Sequence, residues 1–407
     1  MAGPVGVYIS VPFCKAKCSF CNFASGVFGE ERMQRYVDTL CDEILAARKM
    51  AQSRGASLPA VADTIYFGGG TPSLLSARQF ERIFESLRGE FYLAKDAEIT
   101  LECAPGQLSQ ETLNELLRQG MNRISFGVQS FVDRETAAVG RLHTRQQCEA
   151  EIARVRAASV DEINVDLIAG LPHQTAQSWQ FSLERVIASG VPHVSVYLFE
   201  VDEESRLGRE MLEKGIRYGA AAVPGEDETA DFYQRACAAL DAAGVEQYEI
   251  SNFARESHRS RHNLKYWQRQ PYIGFGLDAH SMLRAGEDAV RFANTSDLDQ
   301  YLSGADDDMP FRLLGDALDP GAELDLIGRD AAFEETLFLG LRLNEGVDFD
   351  GLRLKFGEAM LREAMPALRE VRDAGLLELT PNTMRLTPHG RLLSNEVFSR
   401  LLIASPA

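Results

Sequence analysis

Six short apolar stretches, each followed by a helical pattern, set the frame for the first 250 residues. They begin at Val7-Tyr8-Ile9, Thr64-Ile65-Tyr66-Phe67, Glu98-Ile99-Thr100-Leu101, Arg123-Ile124-Ser125-Phe126, Ile163-Asn164-Val165-Asp166-Leu167 and His193-Val194-Ser195-Val196-Tyr197-Leu198. All are rich in β-branched and aromatic residues, and most run into Gly or Pro, as strands do. Between them apolar residues recur at helical spacing. Met33, Tyr36, Val37, Leu40, Ile44 and Leu45 mark one such face; Leu108, Leu113, Leu116 and Leu117, ended by Gly120, mark another. Strand–helix alternation implies parallel pairing, because each crossover has to carry the chain back along the sheet. Six such units predict an α/β fold, an incomplete parallel (β/α) barrel. Chemistry is then expected just after the strands.

The pattern divides the chain into a barrel over residues 1–250, a connecting region over 251–330 and a smaller α+β module over 331–407. In the last, a helix through Phe333, Leu337 and Leu341 precedes a helix near Glu358–Ala374, interrupted or kinked at Pro366. Gly375-Leu376-Leu377-Glu378-Leu379, a turn at Pro381-Asn382, Met384-Arg385-Leu386 and a closing helix complete a winged-helix-like module. Ala220 to Glu228 and Ala305 to Asp308 read as loops. Of the 407 residues, 45% are hydrophobic and 25% charged, as in an ordinary soluble protein. No apolar run approaches the roughly 18 residues of a membrane helix, and the N-terminus lacks the basic start of a signal peptide. The expectation is a cytoplasmic chain without membrane insertion. A net charge of −18 and a pI near 4.9 argue against nucleic acid as a partner. They turn the winged-helix-like module toward a structural or docking role.

Three of the seven cysteines fall in Cys14-Lys15-Ala16-Lys17-Cys18-Ser19-Phe20-Cys21, directly after the first strand. In a reducing compartment such a cluster reads as metal or redox chemistry rather than a disulfide framework. Thiolates suit iron–sulfur clusters or zinc. Three cysteines leave one iron of a four-iron cubane free to bind a substrate. Zinc would call for a fourth Cys or His nearby, but the next cysteine is Cys41, inside an amphipathic helix, and no His precedes His143. Cys41, Cys103, Cys148 and Cys237 read as ordinary buried cysteines.

Tyr8-Ile9-Ser10-Val11-Pro12-Phe13, the cysteine triplet and Asn22-Phe23 together resemble the opening of the oxygen-independent coproporphyrinogen III oxidase superfamily. Phe67-Gly68-Gly69-Gly70-Thr71-Pro72-Ser73, Arg123 through Phe131 and Asn164 through Pro172 agree with it. The resemblance covers nearly the whole chain and implies a barrel of the radical S-adenosylmethionine (SAM) type. It implies a [4Fe–4S] cluster on Cys14, Cys18 and Cys21, with SAM on the free iron. It also implies SAM contacts at Tyr8, Phe20, Gly69, Gly70, Thr71, Glu102, Gln129, Arg141 and Asp166, some of them to a second SAM molecule. The family often carries His where this chain has Ser10, so a proton-transfer role at that position is in doubt.

Two branches of the superfamily differ in what they do. The oxidases resemble C-x3-C-x2-C-x-C and carry a longer N-terminal segment. Here Phe23 stands at the fourth cysteine's place and the cluster begins at residue 14. Both features resemble the HemW-like branch of heme chaperones. His262-Asn263-Leu264-Lys265-Tyr266-Trp267 resembles the H-N-x-x-Y-W heme signature of that branch. Imidazole is a normal axial ligand of heme iron, and Tyr266 and Trp267 could pack on the macrocycle. Arg255, His258, Arg259 and Arg261 could pair with propionates, and His280 is a secondary ligand candidate. The expected function is heme binding and delivery to acceptor proteins, respiratory ones among them, with a low-potential electron donor. The alternatives are a coproporphyrinogen dehydrogenase or a radical SAM methyltransferase.

Overall fold

The computed structural model describes residues 3–303 and 325–401; the loop expected at Ala305 to Asp308 lies outside the described residues. Strands β1 (Val5–Val11), β2 (Val61–Gly69), β3 (Tyr92–Cys103), β4 (Arg123–Gln129), β5 (Glu162–Ala169) and β6 (His193–Leu198) pair in chain order, all parallel. Helices Glu30–Ser53, Ala77–Glu90, Gln110–Gln119, Arg145–Ala157 and Ala176–Ser189 make the crossovers. Their boundaries are written locally. Ser76, Ser109, Thr144 and Thr175 each accept a hydrogen bond from the third backbone N–H of the helix that follows. Gly120 and Gly190 end two helices with φ of 99° and 66°, a conformation that costs glycine little.

Along β1–β6 side chains alternate between two different environments. Val7, Ile9, Ile65, Phe67, Ile99, Leu101, Ile124, Phe126, Val165 and Leu167 lie in the main apolar core with the crossover helices. The intervening residues Tyr66, Thr100, Glu102, Arg123, Ser125, Asn164, Asp166, His193 and Ser195 face the barrel interior, where they line a narrow polar cavity of about 40 Å³. The period of two in a strand produces this division directly. The barrel is thus apolar outside, under its helices, and polar within.

The sheet continues past both ends of the parallel block. β7 (Glu246–Gln247) and β8 (Asn252–Ala254) add antiparallel strands beyond β6. β9 (Tyr272–Phe275) joins β1 in parallel, and β10 (His280–Ala285), β11 (Asp288–Ala293) and β12 (Asp325–Ile327) extend it antiparallel. The twelve strands run β12-β11-β10-β9-β1-β2-β3-β4-β5-β6-β8-β7, so among the described residues the end strands β7 and β12 do not pair with each other and the barrel stays open. Much of the expected connecting region is therefore sheet. The β9–β10 turn is fastened to the first crossover helix. Glu43 accepts hydrogen bonds from Gly276 N–H at 2.9 Å, Asn294 Nδ2 at 2.6 Å and Tyr301 O–H at 2.6 Å. Burial pushes the Glu43 carboxyl up to about 7. Tyr36 O–H donates to the Ser10 carbonyl and accepts from Leu277 N–H, both at 2.8 Å.

The C-terminal module has its own core, around Phe333, Leu337, Leu352, Leu368, Met384 and Val397. Helices Arg329–Gly340, Phe349–Phe356 and Glu358–Asp373 pack beside a sheet ordered β13 (Val347–Asp348), β15 (Thr383–Leu386), β14 (Leu377–Leu379). Two expectations need correction. Helix Glu358–Asp373 runs unbroken through Pro366; Pro366 lies on the exposed face, where the freed carbonyl one turn back can meet water, while Ala364 and Leu368 hold the other face in the core. The loop expected over Ala220 to Glu228 ends early. Glu226, Asp227 and Glu228 form the first turn of helix Glu226–Ala242, where acidic side chains favour the positive end of the helix dipole. Among the described residues no helix is long and apolar enough to cross a membrane.

Candidate cluster and cofactor site

The cysteine segment leaves β1 and is held at both ends by backbone bonds. Cys14 N–H donates to the Gly26 carbonyl at 2.8 Å, and Gly26 N–H returns to Pro12 at 2.9 Å. Ser19 N–H donates to Val139, and Leu207 N–H donates to Ser19. The loop is thereby pinned to the short helices Asp133–Ala138 and Arg206–Leu212 that follow β4 and β6. The glycine segment after β2 is zipped against it, with Gly70 N–H on the Val11 carbonyl at 2.8 Å and Thr71 N–H on Phe13 at 2.7 Å. A Cβ at Gly70 would meet the backbone of Phe13 and Val11 at 2.8–2.9 Å, so no larger residue fits there.

These elements enclose a cavity of about 320 Å³ at the C-terminal ends of the strands. Cys14, Cys18 and Cys21 line it together with Phe20, Gly69, Gly70 and Thr71. Glu102, Gln129, Arg141 and Asp166 form the opposite wall. Eleven of the residues expected from sequence thus meet in one place. Tyr8 lies in a second cavity next door. Thr71 Oγ1 stands 3.7 Å from Cys14 Sγ, and Arg141 Nη1 stands 3.6 Å from Cys18 Sγ. Burial raises the Cys21 thiol, and the neighbouring Cys18 and Cys14 add to it. Three crowded thiols with a cation at hand are suited to a positively charged iron centre. Among the described residues no three Cys, His, Asp or Glu groups converge closely enough to chelate a single ion. The three thiols line the cavity, which leaves room beside them for a multi-iron cluster held by cysteine thiolates. Cys41, Cys103 and Cys148 are buried and Cys237 half-buried, and burial raises the pKa of all four.

Two carboxylates dominate the far wall. Burial first, and the charge of Asp166 second, push Glu102 up to about 7, while hydrogen bonds from Tyr66 and Gly69 N–H and the charge of Arg141 pull the other way. Tyr66 O–H donates to Glu102 Oε1 at 2.9 Å. Burial likewise raises Asp166, which accepts from Asn164 Nδ2 at 2.7 Å and Ser125 O–H at 3.1 Å. Tyr66, Ser125 and Asn164 were not singled out from sequence. Ser125 and Asn164 carried a signal, because they lie four and two residues from Gln129 and Asp166 on the same strands; Tyr66, three residues from Gly69, did not. Gln129 Oε1 and Arg141 Nε are buried without a partner among the described residues. Buried polar atoms are ordinarily bonded, so these two are free for a ligand that enters the cavity. The residues present fit a cluster with a polar, cationic small molecule beside it.

The H-N-x-x-Y-W segment forms a short helix, Arg261–Trp267, against the polar barrel interior. Ser260 caps helix Arg261–Trp267, and the Glu98 carboxylate accepts its first two N–H groups at 3.0 and 2.9 Å. Ser260 and Asn263 close the polar cavity from the N-terminal side of the barrel, so the helix works as a plug. His262 is 1% exposed. Its Nδ1 is 2.8 Å from Thr64 Oγ1, and its Nε2 is 2.8 Å from the Tyr266 hydroxyl. Its ring stacks on Tyr66 with centroids 5.2 Å apart, and so supports the side chain that holds Glu102. Lys265, also buried, pairs with Asp63 at 2.7 Å. Trp267 packs under the Arg342 guanidinium, 4.3 Å from its ring centroid, and does not line either cavity. Three of the four basic residues upstream are engaged as well. His258 pairs with Glu162, Arg259 with Glu345, and Arg261 with Asp63 and Asp96. In this conformation neither ring nitrogen of His262 is open to a metal.

Burial pushes His262 down to about 3, with Lys265 contributing. The imidazole is therefore neutral throughout the physiological range. Its nitrogen resonances should stay constant in NMR between pH 5 and 8, whereas a midpoint near the ordinary 6.5 would contradict this placement.

Residues 8–186 match the model of the radical SAM superfamily, and residues 328–393 match that of the HemN C-terminal domain. The chain is 32% identical to the heme chaperone HemW of Synechocystis sp., over 98% of this chain and 97% of that protein. It is 30% identical to the heme chaperone HemW of Bacillus subtilis, over 97% and 98%. Among solved structures, coproporphyrinogen III oxidase HemN from Escherichia coli superposes with a TM-score of 0.80 at 24% identity, over 98% of this chain and 90% of that one. That likeness establishes the fold, a radical SAM α/β barrel with a C-terminal helical and sheet module. Full-length identity at this level places the chain in the radical SAM superfamily, as a member of the HemW heme chaperone family.

Proposed function

We propose that this chain binds heme and passes it to acceptor proteins, and that a [4Fe–4S] cluster on Cys14, Cys18 and Cys21 and a SAM molecule accompany that work. Membership of the superfamily implies the cluster and SAM. The observation that carries the heme reading is the similarity to HemW chaperones over the whole chain, barrel and C-terminal module alike. Phe23 supports it: the residue at the oxidases' fourth cysteine is here a phenyl ring, 59% exposed, on the rim of the cluster cavity. When bound, the cluster supplies the electron that cleaves the sulfonium of SAM. A low-potential donor must provide that electron, which suits the reducing cytoplasm.

This chain's own residues have separable tasks. The three thiolates hold iron, and the Gly69-Gly70-Thr71 backbone takes the amino acid end of SAM. Glu102 accepts from the ammonium or the ribose hydroxyls, while Gln129 and Arg141 offer the polar atoms left free. Asp166, Tyr8 and Phe20 complete the surround. Tyr266 presents an edge to the second cavity, and His262 and Trp267 hold it there from behind. The oxidase alternative draws on the shared fold alone.

Glu102 gives a pH test. With its carboxyl at about 7, acid protonates the acceptor that a cationic ligand needs. SAM binding should weaken as pH falls below 7, approaching tenfold per unit because one pKa unit corresponds to about 1.4 kcal/mol. Asp166, Arg141 and Tyr66 face the same carboxyl and set where the midpoint falls. Calorimetry on the reconstituted protein should show this slope flattened in Glu102→Gln; equal slopes in both proteins would remove Glu102 from the SAM contact.

The function itself is tested by offering heme and coproporphyrinogen in parallel to the anaerobically reconstituted chain. The expected result is stoichiometric heme binding with transfer to an apo-hemoprotein, and no decarboxylation of coproporphyrinogen in the presence of SAM and reductant. Protoporphyrinogen formation at an enzyme's rate, or no heme uptake, would overturn the reading.

A further inference from the structure

A second cavity of about 300 Å³ opens beside the cluster cavity and shares Phe23 and Gly69 with it. Its walls carry four aromatic rings, Tyr8, Tyr266, Tyr272 and the exposed Phe23, among Ser10, Ala24 and Leu277. Tyr266 and Tyr272 meet edge to face at 4.7 Å, which fixes both rings. At the mouth stands His280, the first residue of β10, with an exposed side chain. Among the described residues no hydrogen bond or ion pair engages its ring. Its cross-strand neighbour is Ala293, whose methyl group leaves the imidazole free to turn.

The backbone that presents His280 is rigid. The β9–β10 turn runs through Gly276 at φ 94° and Asp278 at φ 57°. A Cβ at Gly276 would strike the Tyr36 hydroxyl. Glu43 and Tyr36 tie the same turn to the first crossover helix. Asp278 is the acidic residue of the cavity wall. Lys17, a residue of the cluster cavity, places its ammonium 3.1 Å from the carbonyl of Phe23, which the two cavities share. The sites differ in the way that decides ligation. His262 is sealed with both nitrogens bonded, while His280 is open beside a flat, aromatic-walled space.

We propose that this second cavity is the heme seat and that His280, not His262, is the axial ligand. The inference rests on the heme-binding reading above and gives it a place. The imidazole donates its nitrogen lone pair to the iron and displaces water; no other bond changes. The rings of Tyr8, Tyr266 and Phe23 take the apolar face of the macrocycle, and the propionates turn toward solvent and Lys17. A cavity of this size is at the lower end for ligand sites and leaves much of a porphyrin uncovered. That suits a cargo that has to leave. The shared wall at Phe23 and Gly69 sets the heme edge beside the SAM cavity, so the two cofactors are neighbours with separate ligands.

Hemin titration of the anaerobically reconstituted full chain tests this, with resonance Raman of the ferrous heme complex as the second readout. His280→Ala should bind heme at least tenfold more weakly and lose the iron–histidine stretch. Cluster absorbance and SAM affinity should stay at wild-type values, which shows that the variant is folded. His280→Met should move the Soret band to that of a thioether ligand. Retention of both wild-type affinity and the iron–histidine mode in His280→Ala would overturn the proposal while leaving heme binding intact. Absence of heme binding by the unaltered chain would remove this inference together with the chaperone reading.

Discussion

A barrel whose strands turn polar side chains inward has to satisfy every one of them, and much of this structure answers that demand. Unpaired buried polar groups cost about 1–3 kcal/mol each. In the lower barrel most of the partners come from the protein itself, Thr100 Oγ1 being an exception. Asn164 bonds Ser125, Ser195 and Asp166. His193 bridges Asn164 and Tyr248 at 2.6 and 2.9 Å. Helix Arg261–Trp267 seals the end by offering its N-terminus to Glu98. Higher up the supply of partners runs out. Gln129 Oε1 and Arg141 Nε are left over beside two carboxylates that burial has made reluctant to ionise. The site is the part of the barrel that the chain does not complete by itself.

This layout changes what the H-N-x-x-Y-W motif does in the fold. His262 lies behind Tyr66, and Tyr66 holds Glu102. Tyr266 extends from the same helix into the second cavity. One short helix therefore braces the carboxylate wall of the first cavity and forms part of the wall of the second. In this conformation a substitution at His262 reaches the first cavity through Tyr66 and the second through Tyr266.

The six parallel strands are legible in the sequence because each has three or more β-branched or apolar residues bounded by helical spacing. The cysteine spacing and the glycine segment identify the cavity, since close backbone approach and thiolate crowding depend on residue type and order alone. β8, β9 and β12 escape detection: they are three or four residues long and owe their conformation to the sheet edge they join. The direction of His262 is harder to read. Its spacing of four from Tyr266 places both on one helix face, but which way that face turns depends on Gly6. A Cβ there would collide with Lys265 at 2.7 Å, so its absence lets the helix enter the barrel. Continuity through Pro366 was equally hidden, because it depends on which face of the helix meets water.

The proposed site has three thiols holding a four-iron cluster with one iron left for SAM. Mössbauer spectroscopy of the protein reconstituted with 57Fe, with and without SAM, tests that directly. The expected spectrum is that of a [4Fe–4S] cluster in which SAM shifts one iron of the four and leaves three unchanged. Four irons that do not respond to SAM, or a site that takes up zinc and rejects iron, would contradict it.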